Sequence, residues 1–375
     1  MARRYFMREH NRSALVIGAG VVGLAVARAL ARDRWQVLVA EREARPGQGT
    51  SSRNSGVIHA GLYYAPGSWK ARSCVAGRRL LYAYAQEHGV PHAKTGKLVL
   101  AQGPAQEASL HALLGRAREN GVEGLSLVSE RALAHQEPAL RASLALRSAE
   151  SGLVDAHALM DALRAEARQH GALFAFGAEV EALERRDGGW EVHARGQSPV
   201  AAQLVVNAAG HGADAVARAA GIDVDAPDTD GHGWRLHPWR GDYFALAAGS
   251  PRPRHALVYP LPVQGGLGVH LTRDLGGQLL AGPDASAGAG LDVDAAKAPA
   301  FAAAVARYLP GVTAAQLRPA YAGVRPKRRA DGGDADFVVA ERPRGLLHLL
   351  GIESPGLTAS LALAEEIQRR ARALG

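Results

Sequence analysis

The stretch "SALVIGAGVVGLAVARALARDRWQVLVAERE" (residues 13–43) decides the fold. Residues 14–17 are an apolar run, the pattern of a parallel strand covered on both faces. Gly18, Gly20 and Gly23 complete a GxGxxG motif, and "LAVARALARD" reads as the helix it opens. Gly18 permits the tight turn. Gly20 lets a pyrophosphate approach the backbone N–H groups of the helix start, and Gly23 lets helix and strand pack closely. A second strand, "QVLVA", ends at Glu41, which can accept hydrogen bonds from a ribose diol. Strand, glycines, helix, strand and terminal acid in this order predict dinucleotide binding. An acid at position 41 disfavours a 2′-phosphate, and both FAD and NAD satisfy it.

Outward from this unit, the chain returns to the same texture. "GLVDAHALMDALRAEARQHGALF" (152–174) has helical apolar spacing and a stop signal at His170–Gly171. "AEVEALERRDGGWEVHA" (178–194) reads as two strands around an Asp-Gly-Gly turn, and "AQLVVNAAG" (202–210) as a buried strand entering a small-residue turn. An NAD enzyme usually completes two adjacent mononucleotide halves early. Here one phosphate motif is present and its domain is re-entered twice, which favours an extended, permanently held FAD. The predicted architecture is an α/β Rossmann-like FAD domain from residues 13–86, 149–216 and 319–375. A second, α+β substrate domain on an antiparallel sheet takes residues 87–148 and 217–318, where short β-type runs could roof a flavin ring.

Bulk composition narrows the class. At 375 residues, 47% hydrophobic and 21% charged, the chain suits a folded protein with two domains. Its net charge of +8 is spread along the length, and only "RPKRR" (325–329) is dense. There is no zinc-ligand spacing and no aromatic–basic stripe, so neither a metal nor a nucleic-acid partner is expected. The single cysteine, Cys74, excludes an internal disulfide and fits a reducing compartment. The opening "MARRYFMREHNRS" lacks the apolar core of a signal peptide, and no apolar run is long enough to span a bilayer. Cytoplasmic location is expected, with peripheral contact at the inner face of the membrane left open.

The sequence resembles the FAD-dependent L-2-hydroxyglutarate dehydrogenases and oxidases, within the glycine oxidase and D-amino-acid oxidase superfamily. The matching pieces are "NSGVIHAGLYYAPGSWKARSCVAGRRLLYAYAQEHGV" (54–90), "KTGKLVLA" (94–101), "GLVD" (152–155), "RGDYF" (240–244), "LVYPLP" (257–262), "LGVHLTRDLGGQLLAGPDA" (267–285) and "GIESPGLTASLA" (351–362). The resemblance implies a two-domain fold, tightly bound FAD, and oxidation of an L-2-hydroxy acid to a 2-oxo acid. Within "YAGVRPK" (321–327), Arg325 falls where the superfamily clamps a substrate carboxylate.

Such a reaction needs a held carboxylate, a base for the hydroxyl proton, and a Cα close to flavin N5. His59 and His270 compete for the base, since a neutral imidazole takes a proton near pH 7. Arg325 is the clamp candidate because guanidinium and carboxylate match through two parallel hydrogen bonds. Tyr63, Tyr64, Tyr243, Tyr259, Arg273 and Lys327 are further substrate candidates, although a solvated lysine is the plainer reading of Lys327. Strand alternation sets Arg273 on the face opposite residues 270 and 272.

For the cofactor, Gly18, Gly20, Val22, Gly23, Glu41 and Arg42 come from the first unit. Ser51, Ser52 and Arg53 could reach pyrophosphate, with Ser55 and Gly56 near the ring. Val180, Ala209, Gly210, Gly323 and Arg325 complete the wall, and Gly356, Leu357 and Thr358 open a helix aimed at the flavin pyrimidine. Glu353 either orients Arg325 or faces water, and Cys74 reads as packing. The rival enzyme reading is an amine or amino-acid oxidase of the glycine oxidase type, and a non-enzymatic alternative is a flavoprotein scaffold. The electron acceptor is oxygen, a quinone or a carrier flavoprotein.

Overall fold

Alternation along the first strand sets up two layers. In the computed structural model, which describes residues 12–261 and 268–374, the strand Ser13–Ile17 lies inside a six-stranded sheet. Ala14 and Val16 point into one apolar cluster, shared with the helices Val21–Arg32, Ala156–Gln169 and Gly356–Arg372. Leu15 and Ile17 point into another, with Trp190 and Val192 from a three-stranded antiparallel sheet. Both faces are buried, which is why this strand has no polar residue between Ser13 and Gly18. Each fully buried Leu or Ile contributes about 1.5–3 kcal/mol.

The six strands run in the order Val338–Glu341, Leu346–Leu350, Leu204–Asn207, Ser13–Ile17, Gln36–Glu41, Leu173–Phe176. They are parallel except for the first pair. Three widely separated parts of the chain therefore complete one sheet around the glycine loop. The helix Ala156–Gln169 starts at Asp155, whose carboxylate accepts from the backbone N–H groups of His157 and Ala158. It stops at His170, and Gly171 takes the positive φ that follows.

The second large sheet has nine strands. It is mixed rather than purely antiparallel: Leu257–Pro260 runs parallel to Lys97–Ala101. That pairing joins the segments 87–148 and 217–318 in one sheet. Leu98 and Leu100 face one apolar cluster while Val99 and Ala101 face another. At the far side, His237–Leu246 pairs antiparallel with Leu317–Lys327. Because side chains alternate, Gly241 and Tyr243 share a face with their partners Gly323 and Tyr321, and with Arg325. The readings made on residues 1–11, on Pro262 and on Leu267 fall outside the described residues. Among the described residues, no helix is long and apolar enough to cross a membrane.

Candidate active site

A cavity of about 1400 Å³ runs from the glycine loop to the face of the nine-stranded sheet. Pockets for single small ligands are about 300–1,000 Å³, so this one has room for an extended cofactor and a small acid together. Its two ends are built differently.

At the first end the wall is backbone. Gly18 sits at φ +102, and an added Cβ would stand 2.5 Å from the Ala208 carbonyl oxygen. At Gly20 it would stand 2.9 Å from Ser51 Oγ. Gly23 is not on the wall; a Cβ there would overlap the Gly18 carbonyl, so it holds helix against strand. Glu41 uses both oxygens locally: Oε2 accepts from Ala19 N at 2.6 Å and Oε1 from Glu43 N at 2.9 Å. Ser51 Oγ accepts from Val21 N at 3.0 Å, in the first turn of the helix. Val22, Arg42, Val180, Ala209 and Gly210 line this end, and Arg53, Ser55 and Gly323 the middle. A bare-backbone cradle at a helix N-terminus, with a carboxylate at the end of the second strand, fits FAD.

Several expected cofactor contacts lie elsewhere. Ser52 turns its hydroxyl to the Gly49 carbonyl. Gly56, at φ +63, forms a turn instead of wall, donating to Asn54 Oδ1 and accepting from Val154 N. Gly356 and Leu357 line the cavity, but Thr358 is fully buried behind it. The Thr358 hydroxyl accepts from His59 N at 3.0 Å and donates to the Val57 carbonyl at 3.3 Å, so it fixes the His59 main chain.

The second end is made of side chains. His59, Tyr63, Tyr64, Tyr243, Tyr259, His270, Arg325 and Lys327 all line it. His59 Nε2 is 3.4 Å from Ser354 Oγ, while Nδ1 is buried with no hydrogen-bond partner among the described residues. Burial above all, then the nearby Lys97 and His270, hold this imidazole well below its ordinary range. It is therefore neutral at pH 7. The Tyr63 hydroxyl is likewise buried and unpartnered. His270 precedes the strand Leu271–Arg273 rather than lying in it, and its ring stacks on Tyr259 at 3.6 Å. Arg273 is off the wall and donates to the Pro253 carbonyl, which removes it from the substrate candidates.

Arg325 donates from Nη2 to the Asp284 carbonyl at 3.0 Å and makes no ion pair among the described residues. A Cβ at Gly241 would come within 2.6 Å of Nη2, so glycine is what leaves the guanidinium its place. Lys327 is buried instead of solvated. Glu353 neither orients Arg325 nor faces water: Oε1 takes Lys70 Nζ at 2.9 Å and Oε2 lies 3.4 Å from Lys327 Nζ. Cys74 is packing, with burial pushing its thiol up to about 12. Among the described residues one group has metal-type ligands, Glu184, Glu191 and His193, on the three-stranded sheet and off the cavity wall.

Sequence reasoning passed over Lys70, Lys97, His211 and Ser354. His211 Nε2 ties Thr50 Oγ1 to the Val324 carbonyl at 3.2 and 3.1 Å. Ser354 lies inside the quoted "GIESPGL", and Lys97 inside "KTGKLVLA", where a charge opening an apolar strand was the available signal.

The chain is 37% identical over 95% of its length to an Arabidopsis thaliana protein named mitochondrial L-2-hydroxyglutarate dehydrogenase, of which 82% is covered. Its fold matches L-α-glycerophosphate oxidase from Mycoplasma pneumoniae with FAD bound, at TM-score 0.86 and 25% identity, covering 97% of this chain and 95% of that one. Glycine oxidase from Geobacillus kaustophilus gives TM-score 0.80 at 22% identity, with 96% and 95% covered. The family model described as FAD dependent oxidoreductase matches residues 13–370, and the chain belongs to that family.

Proposed function

We propose that this protein oxidises an L-2-hydroxy acid, L-2-hydroxyglutarate, to the 2-oxo acid, 2-oxoglutarate, in an FAD-dependent reaction. The observation that carries this reading is a neutral imidazole, His59, and an arginine with no ion pair among the described residues, Arg325, on the wall of the cavity that holds the dinucleotide cradle. The similarity to the Arabidopsis dehydrogenase supports the choice of substrate.

The chemistry that bound FAD supplies is acceptance of the Cα hydride at its N5. Gly18, Gly20, Glu41, Ser51, Ala209 and Gly210 would hold the cofactor's dinucleotide part, with Gly356 and Leu357 at its ring end. Arg325 orients the substrate by gripping the α-carboxylate through two hydrogen bonds. His59 accepts the hydroxyl proton at Nε2, the nitrogen nearer Ser354. Tyr63, Tyr64, Tyr243 and Tyr259 exclude water and offer phenolic donors, with burial keeping Tyr63, Tyr64 and Tyr259 protonated. His270 serves through its stack on Tyr259. Residues 13–86, 149–216 and 319–375 form the FAD domain in this reading, and 87–148 with 217–318 the substrate domain. Oxygen, a quinone or a carrier flavoprotein takes the electrons, and we assign a cytoplasmic location.

Anaerobic mixing of the yellow protein with L-2-hydroxyglutarate tests the reading, with the D-isomer and glycine as controls. Loss of oxidised-flavin absorbance with the L-isomer alone is expected. In Arg325→Met the colour should persist while kcat/KM falls about 100-fold, the equivalent of about 3 kcal/mol for two charged hydrogen bonds. Reduction by glycine but not by L-2-hydroxyglutarate would replace the hydroxy-acid reading with the amine one.

A further inference from the structure

Lys97 opens the strand Lys97–Ala101 behind the cavity wall. Its side chain is 0% exposed, and Nζ has no hydrogen-bond partner among the described residues. What it meets instead are ring faces, with Nζ 4.9 Å from the Tyr63 centroid and 4.6 Å from that of Tyr259. Both rings line the cavity, and His270 stacks on Tyr259. The titratable groups around Lys97 come from four places. His59 and Tyr63 follow the strand Val57–Ile58, and Cys74 comes from the helix Trp69–Glu87. Tyr259 lies in its own strand, and His270 precedes Leu271–Arg273. None is a carboxylate. A buried ammonium without a counterion is costly, and an apolar side chain of the same length would fill the space at lower cost. Packing therefore does not explain why a lysine stands there.

We propose that Lys97 is a positioning residue for the base: its amine, held behind the Tyr63–Tyr259 pair, sets the proton affinity of His59 so that the two groups together carry no more than one positive charge. This rests on the reading of His59 as the base. Burial brings Lys97 down from the ordinary lysine range to about 7. Lys97 is, after burial itself, the largest influence lowering His59. With Lys97 neutral, His59 can take the substrate proton and become imidazolium. With Lys97 charged, a second cation beside it is disfavoured, as for any strongly coupled pair. The reaction thus strengthens as pH rises through the Lys97 titration.

The test compares FAD-loaded wild type, Lys97→Met and Lys97→Arg in two measurements. In the first, the rate of flavin reduction by L-2-hydroxyglutarate is followed from about pH 5.5 to about pH 9. The wild-type rate should rise about tenfold as pH rises through neutrality, the equivalent of one unit in the base. Lys97→Met should lose that step with KM little changed. Lys97→Arg, whose guanidinium stays charged, should keep the low rate throughout. The second measurement is the melting temperature. The folded protein binds this proton more weakly than the unfolded chain, whose lysines titrate near about 10.4. Wild-type stability therefore rises with pH between about 7 and about 10.4. Lys97→Met should melt higher than wild type at about pH 6, with the gap narrowing by about pH 9. Superimposable rate profiles for wild type and Lys97→Met would overturn the proposal, as would a variant that melts lower at every pH. If L-2-hydroxyglutarate reduces none of the proteins, the proposed function fails, and the melting comparison alone decides whether Lys97 is the buried, weakly basic amine described.

Discussion

The two ends of the cavity solve the problem of holding a ligand in opposite ways. At the glycine end, recognition is backbone N–H groups, tight turns and one carboxylate, and the polar atoms satisfy one another before any ligand arrives. Ala19 and Glu43 donate to Glu41, and Val21 donates to Ser51. At the other end, side chains from five segments converge, and His59 Nδ1, the Tyr63 hydroxyl and Lys97 Nζ are all left without hydrogen bonds among the described residues. Buried polar groups rarely go unpaired, because each orphan costs about 1–3 kcal/mol. In the proposed function the satisfied end suits a ligand that stays, whereas the unsatisfied end retains donors and acceptors for something that comes and goes. Substitutions at the two ends should therefore fail differently.

The largest failure should come from Gly23→Ala at the backbone end. The added methyl would overlap the Gly18 carbonyl, and neither atom belongs to a flexible side chain. Overpacking costs about 1–3 kcal/mol and occasionally more, and a clash with backbone falls at the upper end, enough to part the helix Val21–Arg32 from its strand and spoil the cradle. The protein should purify colourless, or with less than about a hundredth of the wild-type affinity for FAD, as read from bound flavin per chain. A yellow, active Gly23→Ala protein would mean that the loop is far softer than its contacts imply.

At the side-chain end, His59→Gln should leave the colour intact and slow reduction. Loss of a positioned general base costs about 10²–10⁴-fold in rate. Glutamine is close in size and keeps the hydrogen bond from His59 N to Thr358, since that bond is main-chain on the histidine side. Because the wild-type imidazole is held well below its ordinary range, its neutral form persists above that depressed value and is lost only as pH falls through it. Rapid-mixing rates for His59→Gln should lack this acid limb. A variant that loses FAD instead of rate would move His59 to the binding end of the comparison.

The same contrast governs what could be read in advance. The cradle is contiguous: residues 13–43 contain its strand, turn, helix and acid, and the period of each element is visible in the string. The close approaches at Gly18 and Gly20 and the place of Glu41 at the end of the second strand were therefore identifiable in advance. The reaction end is assembled across long separations. His59 N meets Thr358 Oγ1 at a separation of 299 residues, and Lys70 meets Glu353 at 283. Nothing local marks Lys70 as the partner of Glu353, or turns Arg273 towards the Pro253 carbonyl. Even the parallel pairing of Lys97–Ala101 with Leu257–Pro260, which brings Lys97 under Tyr259, leaves no periodic trace. His59, Tyr63 and Arg325 were singled out because each lies in a motif whose resemblance carried it.

The smallest effect should come from the carboxylate of the backbone end. Glu41→Gln keeps a single acceptor oxygen where two are used. Its amide nitrogen would have to face either Ala19 N or Glu43 N, each of them a donor. One charged hydrogen bond is lost, and any bond to the ribose diol weakens, together costing about 1–2 kcal/mol. The corresponding loss in FAD affinity is about 5–30-fold, measurable by titrating the stripped protein with FAD and following the quench of flavin fluorescence. The loss stays small because Gly18, Gly20 and the helix N-terminus are untouched, and in the proposed function these would hold the pyrophosphate through backbone. Once FAD is supplied in excess, the rate of reduction by L-2-hydroxyglutarate should return to the wild-type value, since nothing at Glu41 reaches the base or the clamp. A Glu41→Gln protein that takes up FAD fully yet stays slow would show that the two ends are coupled through the sheet, and the division of labour between them would then be wrong.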